Sequence, residues 1–170
     1  FIMAESIVNW LMTAFAEHVP AELFVFIISM LPVLELRGGL IAAALLNIPL
    51  VEALIICIVG NVIPIPFILL LIRPIFAWLK GTKLFRPTVE KLENRAMGKS
   101  DQIRKYEFWG LLIFVGIPLP GTGAWTGALI ASMLNISIKR AIPPILLGVC
   151  MASMIMTVIS YVIPAIIMGF

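Results

Sequence analysis

The chain is a succession of long apolar runs separated by short polar or basic stretches, and the runs are of two kinds. Two are continuous and long enough to cross a bilayer, which takes about 20 residues at roughly 1.5 Å each. These are Leu50 to Ile72, kinked by Pro64 and Pro66 and closed by Arg73 and Pro74, and Ile138 to Ile163, with Pro143 and Pro144 near its start. Two others are broken at their centres. Ala21 to Asn47 carries Pro32, Glu35, Arg37, Gly38 and Gly39 in its middle, and Phe108 to Asn135 carries Pro118, Pro120, Gly121, Thr122 and Gly123. A broken run of this kind predicts two half-helices of about 15 Å, here Glu22 to Leu31 and Gly39 to Leu46, which enter the bilayer, turn near its middle and leave by the same side. A single kinked span is the alternative. Phe1 to Val19 predicts a further helix ended by Pro20, for which a tilted crossing and an interfacial position are both open.

Composition settles the class. Of 170 residues, 62% are hydrophobic and 12% charged, against about a quarter charged in soluble domains. An all-α integral membrane protein is expected, with disorder, a disulfide scaffold and nucleic-acid binding excluded. The net charge of +3 reports topology more than a partner. From Arg73 to Tyr106, nine Lys and Arg face only Glu90, Glu93 and Asp101, which places residues 73–106 on the cytoplasmic side of a multi-pass protein of the cell membrane. Val89, Leu92 and Ala96 recur at helical spacing after Pro87, predicting a basic amphipathic helix on the inner surface. Cys57 and Cys150 stand alone, so they define no metal or redox motif. One histidine, His18, one aspartate, Asp101, and no Gly-x-Ser-x-Gly leave hydrolytic chemistry without its parts, so no enzyme and no cofactor are expected.

The two halves read as copies 88 residues apart. Leu23 falls on Leu111, Phe26 on Phe114, Pro32 on Pro120, Gly39 on Gly127, Asn47 on Asn135 and Gly60 on Gly148 in one ungapped frame. If a hairpin returns to its own side, one crossing separates the copies and they point in opposite directions. The charges agree, since Glu52 follows the first hairpin while Lys139 and Arg140 follow the second. The fold expected is therefore an inverted repeat of re-entrant hairpin plus transmembrane helix in one membrane domain: an N-terminal helix at 1–19, repeat one at 21–72, the basic connection at 73–106 and repeat two at 108–163. Many secondary transporters are built in this way, with broken helices meeting near the midplane.

The string Phe114-Val-Gly-Ile-Pro-Leu-Pro-Gly-Thr-Gly-Ala-Trp-Thr-Gly-Ala-Leu-Ile-Ala131, with Glu35-Leu-Arg-Gly-Gly39 upstream, resembles the small multidrug export protein family from about Ala21 onward. That family is similar in turn to the DedA/VTT (SNARE-associated) membrane proteins. The resemblance implies paired re-entrant hairpins and a role in moving lipids, including undecaprenyl phosphate, or drug-like compounds. The second tip here has Gly123 and Trp125 where the DedA pattern has arginine.

Ionisable groups at membrane depth are costly, by a debated figure of about 3 kcal/mol or more, and are read first as functional. Glu35 and Arg37, with Gly38 and Gly39, are thus candidate substrate-binding residues, and Glu35 a candidate proton carrier; an internal ion pair that pins the hairpins is the structural alternative. At the second tip, Pro120, Gly121, Thr122, Gly123, Trp125, Thr126 and Gly127 complete the candidate site. The glycine amides and the start of a half-helix near Trp125 make an anion cradle, and Trp125 offers a face to a cationic cargo. Asn47 and Asn135 read as C-caps. The expected function is transport of an amphiphile, either a lipid phosphate or a drug-like compound, with proton coupling through Glu35. A non-transporting scaffold and a passive scramblase are the alternatives. Membrane lipids and the cargo are the expected partners, with a homodimer to enclose the pathway.

Overall fold

The computed structural model describes residues 19–82, 85–97, 101–119 and 121–168, so most of the expected helix at 1–19, and Pro120 of the candidate site, lie outside the described residues. The helices are α1 (Ala21–Met30), α2 (Glu35–Leu45), α3 (Leu50–Val62), α4 (Pro64–Lys80), α5 (Arg86–Met97), α6 (Asp101–Gly116), α7 (Ala124–Met133) and α8 (Ile138–Thr157). A π-helical turn, Val158–Val162, joins α8 to α9 (Ile163–Met168). Among the described residues there is no strand.

Both broken runs double back on themselves. Within the first, Gly39 of α2 lies against Ser29 of α1 and Gly38 against Ile28; within the second, Gly127 of α7 lies against Val115 and Leu111 of α6. The half-helices are side by side, a hairpin and not a kinked rod, because glycine lets the backbones approach. Three boundaries differ from the sequence expectation. Helix α2 begins at Glu35 and not Gly39, so both charges and both glycines belong to its first turns. Helix α4 does not end at Arg73 and Pro74 but runs to Lys80 with Pro74 inside it. Packing against α5 and α7, with Phe76 buried, outweighs the helix bond that Pro74 cannot donate. The second hairpin's first arm begins within the basic connection, at Asp101.

Two continuous stretches, Leu50–Ile72 and Ile138–Ile167, are long and apolar enough to cross a membrane. Along the first, Val51, Ile55, Val59, Phe67 and Leu70 are exposed at helical spacing, and along the second Leu147, Met154, Val158 and Ile166. Apolar stripes of this length facing outward fit lipid as the solvent. Leu36, Leu40, Ile65, Leu111, Ile130 and Ile145 fill the interior between spans and hairpins.

The backbone repeats itself where the second arms end. Asn47 and Asn135 adopt left-handed φ of 57° and 62°. Around them Ile48 N–H donates to the Ala43 carbonyl at 2.9 Å and Ile136 N–H to that of Ala131 at 3.0 Å, while Asn47 donates to Ala44 and Asn135 to Ser132. These are two Schellman closures, and each partner in one lies 88 residues from its counterpart in the other. The first arms keep a different register. Phe24, Val25, Ile28 and Ser29 are the buried face of α1; on α6 the buried residues include Gly110, Leu111, Phe114 and Val115, a spacing of 86. Gly60 packs on Ser29 and Gly148 on Val115 with the same slip. The second tip is therefore two residues longer, and the ungapped pairing of Leu23 with Leu111 and Phe26 with Phe114 is corrected to Val25 with Leu111 and Ile28 with Phe114. Leu, Ile and Phe pack interchangeably on such a face, so residue identity there carried little information.

The helix ends are tied across the molecule. Tyr161, in the π-helical turn that continues α8, donates its hydroxyl to the Ile48 carbonyl at the base of the first hairpin, at 3.2 Å. Asn135 and Met133, at the base of the second, share a cavity with Ile72 and Phe76 at the far end of the first span. The packing of span on hairpin is tight at Gly60, where a Cβ would meet the Phe26 carbonyl oxygen at 2.9 Å. Gly60→Ala is expected to destabilise the protein by about 1–3 kcal/mol, read as a lower midpoint of unfolding in detergent.

Candidate functional site

The tips of the two hairpins meet, and their cut helix ends determine how. A helix end leaves N–H groups or carbonyls without intrahelical partners, and in an apolar interior these must be satisfied by something else. Glu35, the first residue of α2, is 4% exposed and reaches across to the start of α7. There its Oε2 accepts from the Ala124 N–H at 3.1 Å and its Oε1 from the Trp125 N–H at 3.0 Å. The carboxylate of one hairpin is the N-cap of the other, placed where the helix dipole favours negative charge. Its backbone φ of 50° is a left-handed conformation that costs a residue with a Cβ about 1 kcal/mol or more, sustained only because the surroundings impose it. Gly123 completes the fit. Its φ of 128° and extended ψ of −178° are open essentially to glycine alone, and any Cβ there would fall on the Glu35 carboxylate.

Arg37 performs the opposite task one turn away. Its guanidinium donates to the Leu119 carbonyl at 2.6 Å, the Ile117 carbonyl at 3.3 Å and Thr122 Oγ1 at 2.9 Å. It thus satisfies the carbonyls of the turn that follows α6 at Pro118, beside the negative end of that helix. Thr122 knits the same turn, its hydroxyl lying 2.9 Å from both the Ile117 and Leu119 carbonyls, to either of which it can donate. The second hairpin reciprocates through Trp125, whose indole N–H donates to the Met30 carbonyl at the end of α1, at 3.0 Å. Arg37 and Trp125 stand 88 residues apart in sequence, so the same position in each hairpin caps the first arm of the other.

The structure therefore brings Glu35, Arg37, Thr122, Gly123 and Trp125 into one contact. Gly38, Gly39 and Gly127 are instead buried packing positions within their own hairpins. Gly121, with φ of 75°, shapes the exposed turn, and Thr126 is half-buried on α7. The amides that hold an anionic group at the second tip are those of Ala124 and Trp125, not the Gly121 to Gly123 amides expected from the sequence, and the group they hold is the Glu35 carboxylate of the chain itself. Sequence reading missed the backbone partners, namely those two amides and the carbonyls of Met30, Ile117 and Leu119. Each lies at a helix end beside a turn, which is the one signal that marks such groups in advance. Trp125→Phe keeps the ring and removes one donor, so a loss of about 1 kcal/mol is expected. Arg37→Lys, which cannot span three acceptors with one ammonium, is expected to lose about twice that; equilibrium unfolding of the purified variants measures both.

Helices alone among the described residues, two of them long and apolar enough to cross a bilayer, with charged and polar groups meeting between two hairpins, are compatible with an all-α membrane protein. The chain belongs to the family described as "Putative small multi-drug export protein", whose sequence model matches residues 35–155, a stretch that includes Glu35 and Arg37, the second tip, the first span and much of the second. Neither a curated protein nor a solved structure matches it.

Proposed function

We propose that the chain is an exporter of amphiphilic compounds in which two oppositely directed re-entrant hairpins meet tip to tip near the bilayer midplane, and that parting of the tips is the transport event. One observation carries this reading: both charges of the first tip are spent on backbone groups of the second, so the contact is polar, buried at Glu35 and reversible by anything that competes for that carboxylate. Opposite direction is supported by the bases of the hairpins, which lie at opposite ends of the spans. Ile48 meets the π-helical turn that continues α8, and Asn135 meets the far end of the first span. Exposed Lys139 and Arg140 stand at the second base, on the same side as basic α5, and exposed Glu52 stands at the first. That distribution favours a cytoplasmic face for 73–106.

In this mechanism a cationic amphiphile and a proton compete for the same carboxylate. Either one weakens the Glu35 bonds to the α7 amides and frees the tip, Trp125 then offering its ring to the cation. The amides themselves favour a second reading, an anionic cargo such as a lipid phosphate, since a carboxylate already occupies them as a phosphate oxygen would. Glu35→Ala separates the two: binding of a cationic dye is expected to be lost, whereas retained or tightened binding of a phosphate amphiphile reverses the assignment. The chain's transport role itself is tested in proteoliposomes, where dye movement driven by a pH gradient is expected. Movement independent of any gradient indicates a passive scramblase, and no movement a scaffold. Cysteines placed beside Asn47 and Asn135 are expected to label from opposite compartments, and labelling from one compartment overturns the inverted arrangement.

A further inference from the structure

A cavity of about 550 Å³ lies far from the tips, between the end of α4, the start of α5's outer half and the base of the second hairpin. Its wall is of two kinds. Ile72, the last residue of the first apolar span, Phe76 and Met133 are apolar, while Lys80, Glu93 and Asn135 are charged or polar. Lys80 lies two turns beyond Ile72 on a continuous helix, roughly 12 Å at 1.5 Å per residue, which is enough to cross the roughly 5–7 Å of head groups on one side of a bilayer. The cavity thus straddles the boundary between acyl chain and head group. On the outer surface of the same helix Ile75 and Trp78 are exposed, Trp78 at 72%, and a tryptophan at this height anchors a helix at the interface.

Lys80 and Glu93 form an ion pair across the polar wall, and neither is fully buried. A pair of opposite charges side by side, with an apolar wall in the same cavity, matches a molecule that carries both signs in its head group and a hydrocarbon tail. We propose that this cavity is a binding site for a zwitterionic phospholipid of the cytoplasmic leaflet, with a primary ammonium and a phosphate diester. The phosphate takes Lys80 and the Asn135 amide, the ammonium takes Glu93, and the upper acyl segment lies on Ile72, Phe76 and Met133. An anionic phospholipid satisfies Lys80 but leaves its excess charge against Glu93. The site does not depend on transport, because it uses no residue of the tips.

Native mass spectrometry of the purified full chain, titrated with phosphatidylethanolamine or phosphatidylglycerol of the same acyl composition, tests this. Phosphatidylethanolamine is expected to bind at least tenfold more tightly. Lys80→Gln is expected to abolish that preference, and Glu93→Gln to reverse it in favour of phosphatidylglycerol. Met133→Trp, which fills the cavity without touching a charge, is expected to displace both lipids while leaving the unfolding midpoint within a few degrees of the parent. Equal affinity for the two lipids in the parent protein, or phosphatidylethanolamine binding unchanged in Met133→Trp, overturns the proposal.

Discussion

Glu35→Ala is expected to lower stability by about 3 kcal/mol, since it strands two backbone N–H groups that had a charged acceptor in an apolar setting. The carboxylate is the only group of the first tip that reaches the Ala124 and Trp125 amides. Water cannot replace it at a contact where Glu35 is 4% exposed and Ala124 wholly buried. Gradient-driven export is expected to vanish with it. Glu35→Gln keeps one oxygen to accept and turns an NH2 toward the other amide, so about half the stability loss is expected, together with transport that no longer responds to pH. Denaturant titration in detergent and dye efflux across a range of pH values measure the two effects separately. An Ala variant as stable as the parent, or a Gln variant with an unaltered pH profile, removes Glu35 from the mechanism.

The second large effect is expected at Gly123. Gly123→Ala must place a methyl group on the Glu35 carboxylate and also hold a non-glycine residue in a region of backbone space that costs about 1–3 kcal/mol. The combined loss is expected to reach about 4 kcal/mol, comparable with breaking a buried charged contact outright. A double-mutant cycle distinguishes the two causes. In a Glu35→Ala background the steric term disappears and only the backbone term survives, so Gly123→Ala is expected to cost about 2 kcal/mol less there than in the parent. Strict additivity instead makes Gly123 a backbone position with no bearing on the carboxylate.

Much of this was legible in the order of residues, and the reasons are local. A predominantly apolar run of 23 residues from Leu50 to Ile72 has few ways to satisfy its backbone in oil other than a helix. Proline and glycine at the centre of the other two runs stop any helix where they stand. Asn47 and Asn135 could be placed as caps because only a few residue types accept a left-handed turn after a helix. The rule that intramembrane charge marks a site led to Glu35 and Arg37, and the structure has both at the contact between the tips.

Other features were not legible, because they depend on contacts between residues far apart in the chain, 80 to 95 apart at the tips. Nothing near Glu35 in sequence says that its partners are two amides of another hairpin, and backbone groups have no signature in an amino-acid string. The two-residue slip between first arms was hidden because Leu, Ile, Val and Phe bury equally well at neighbouring positions. Pro74 looked like an end because proline breaks an isolated helix; packing against α5 and α7 carried the helix on to Lys80. Composition and periodicity thus point to a helical chain with two spans apolar enough for a membrane and two interrupted segments, since burial of apolar surface and internal satisfaction of backbone groups favour helices there. Which end of which half-helix each charge satisfies was left to the meeting of the tips, where desolvated N–H and carbonyl groups accept only the partner that geometry delivers.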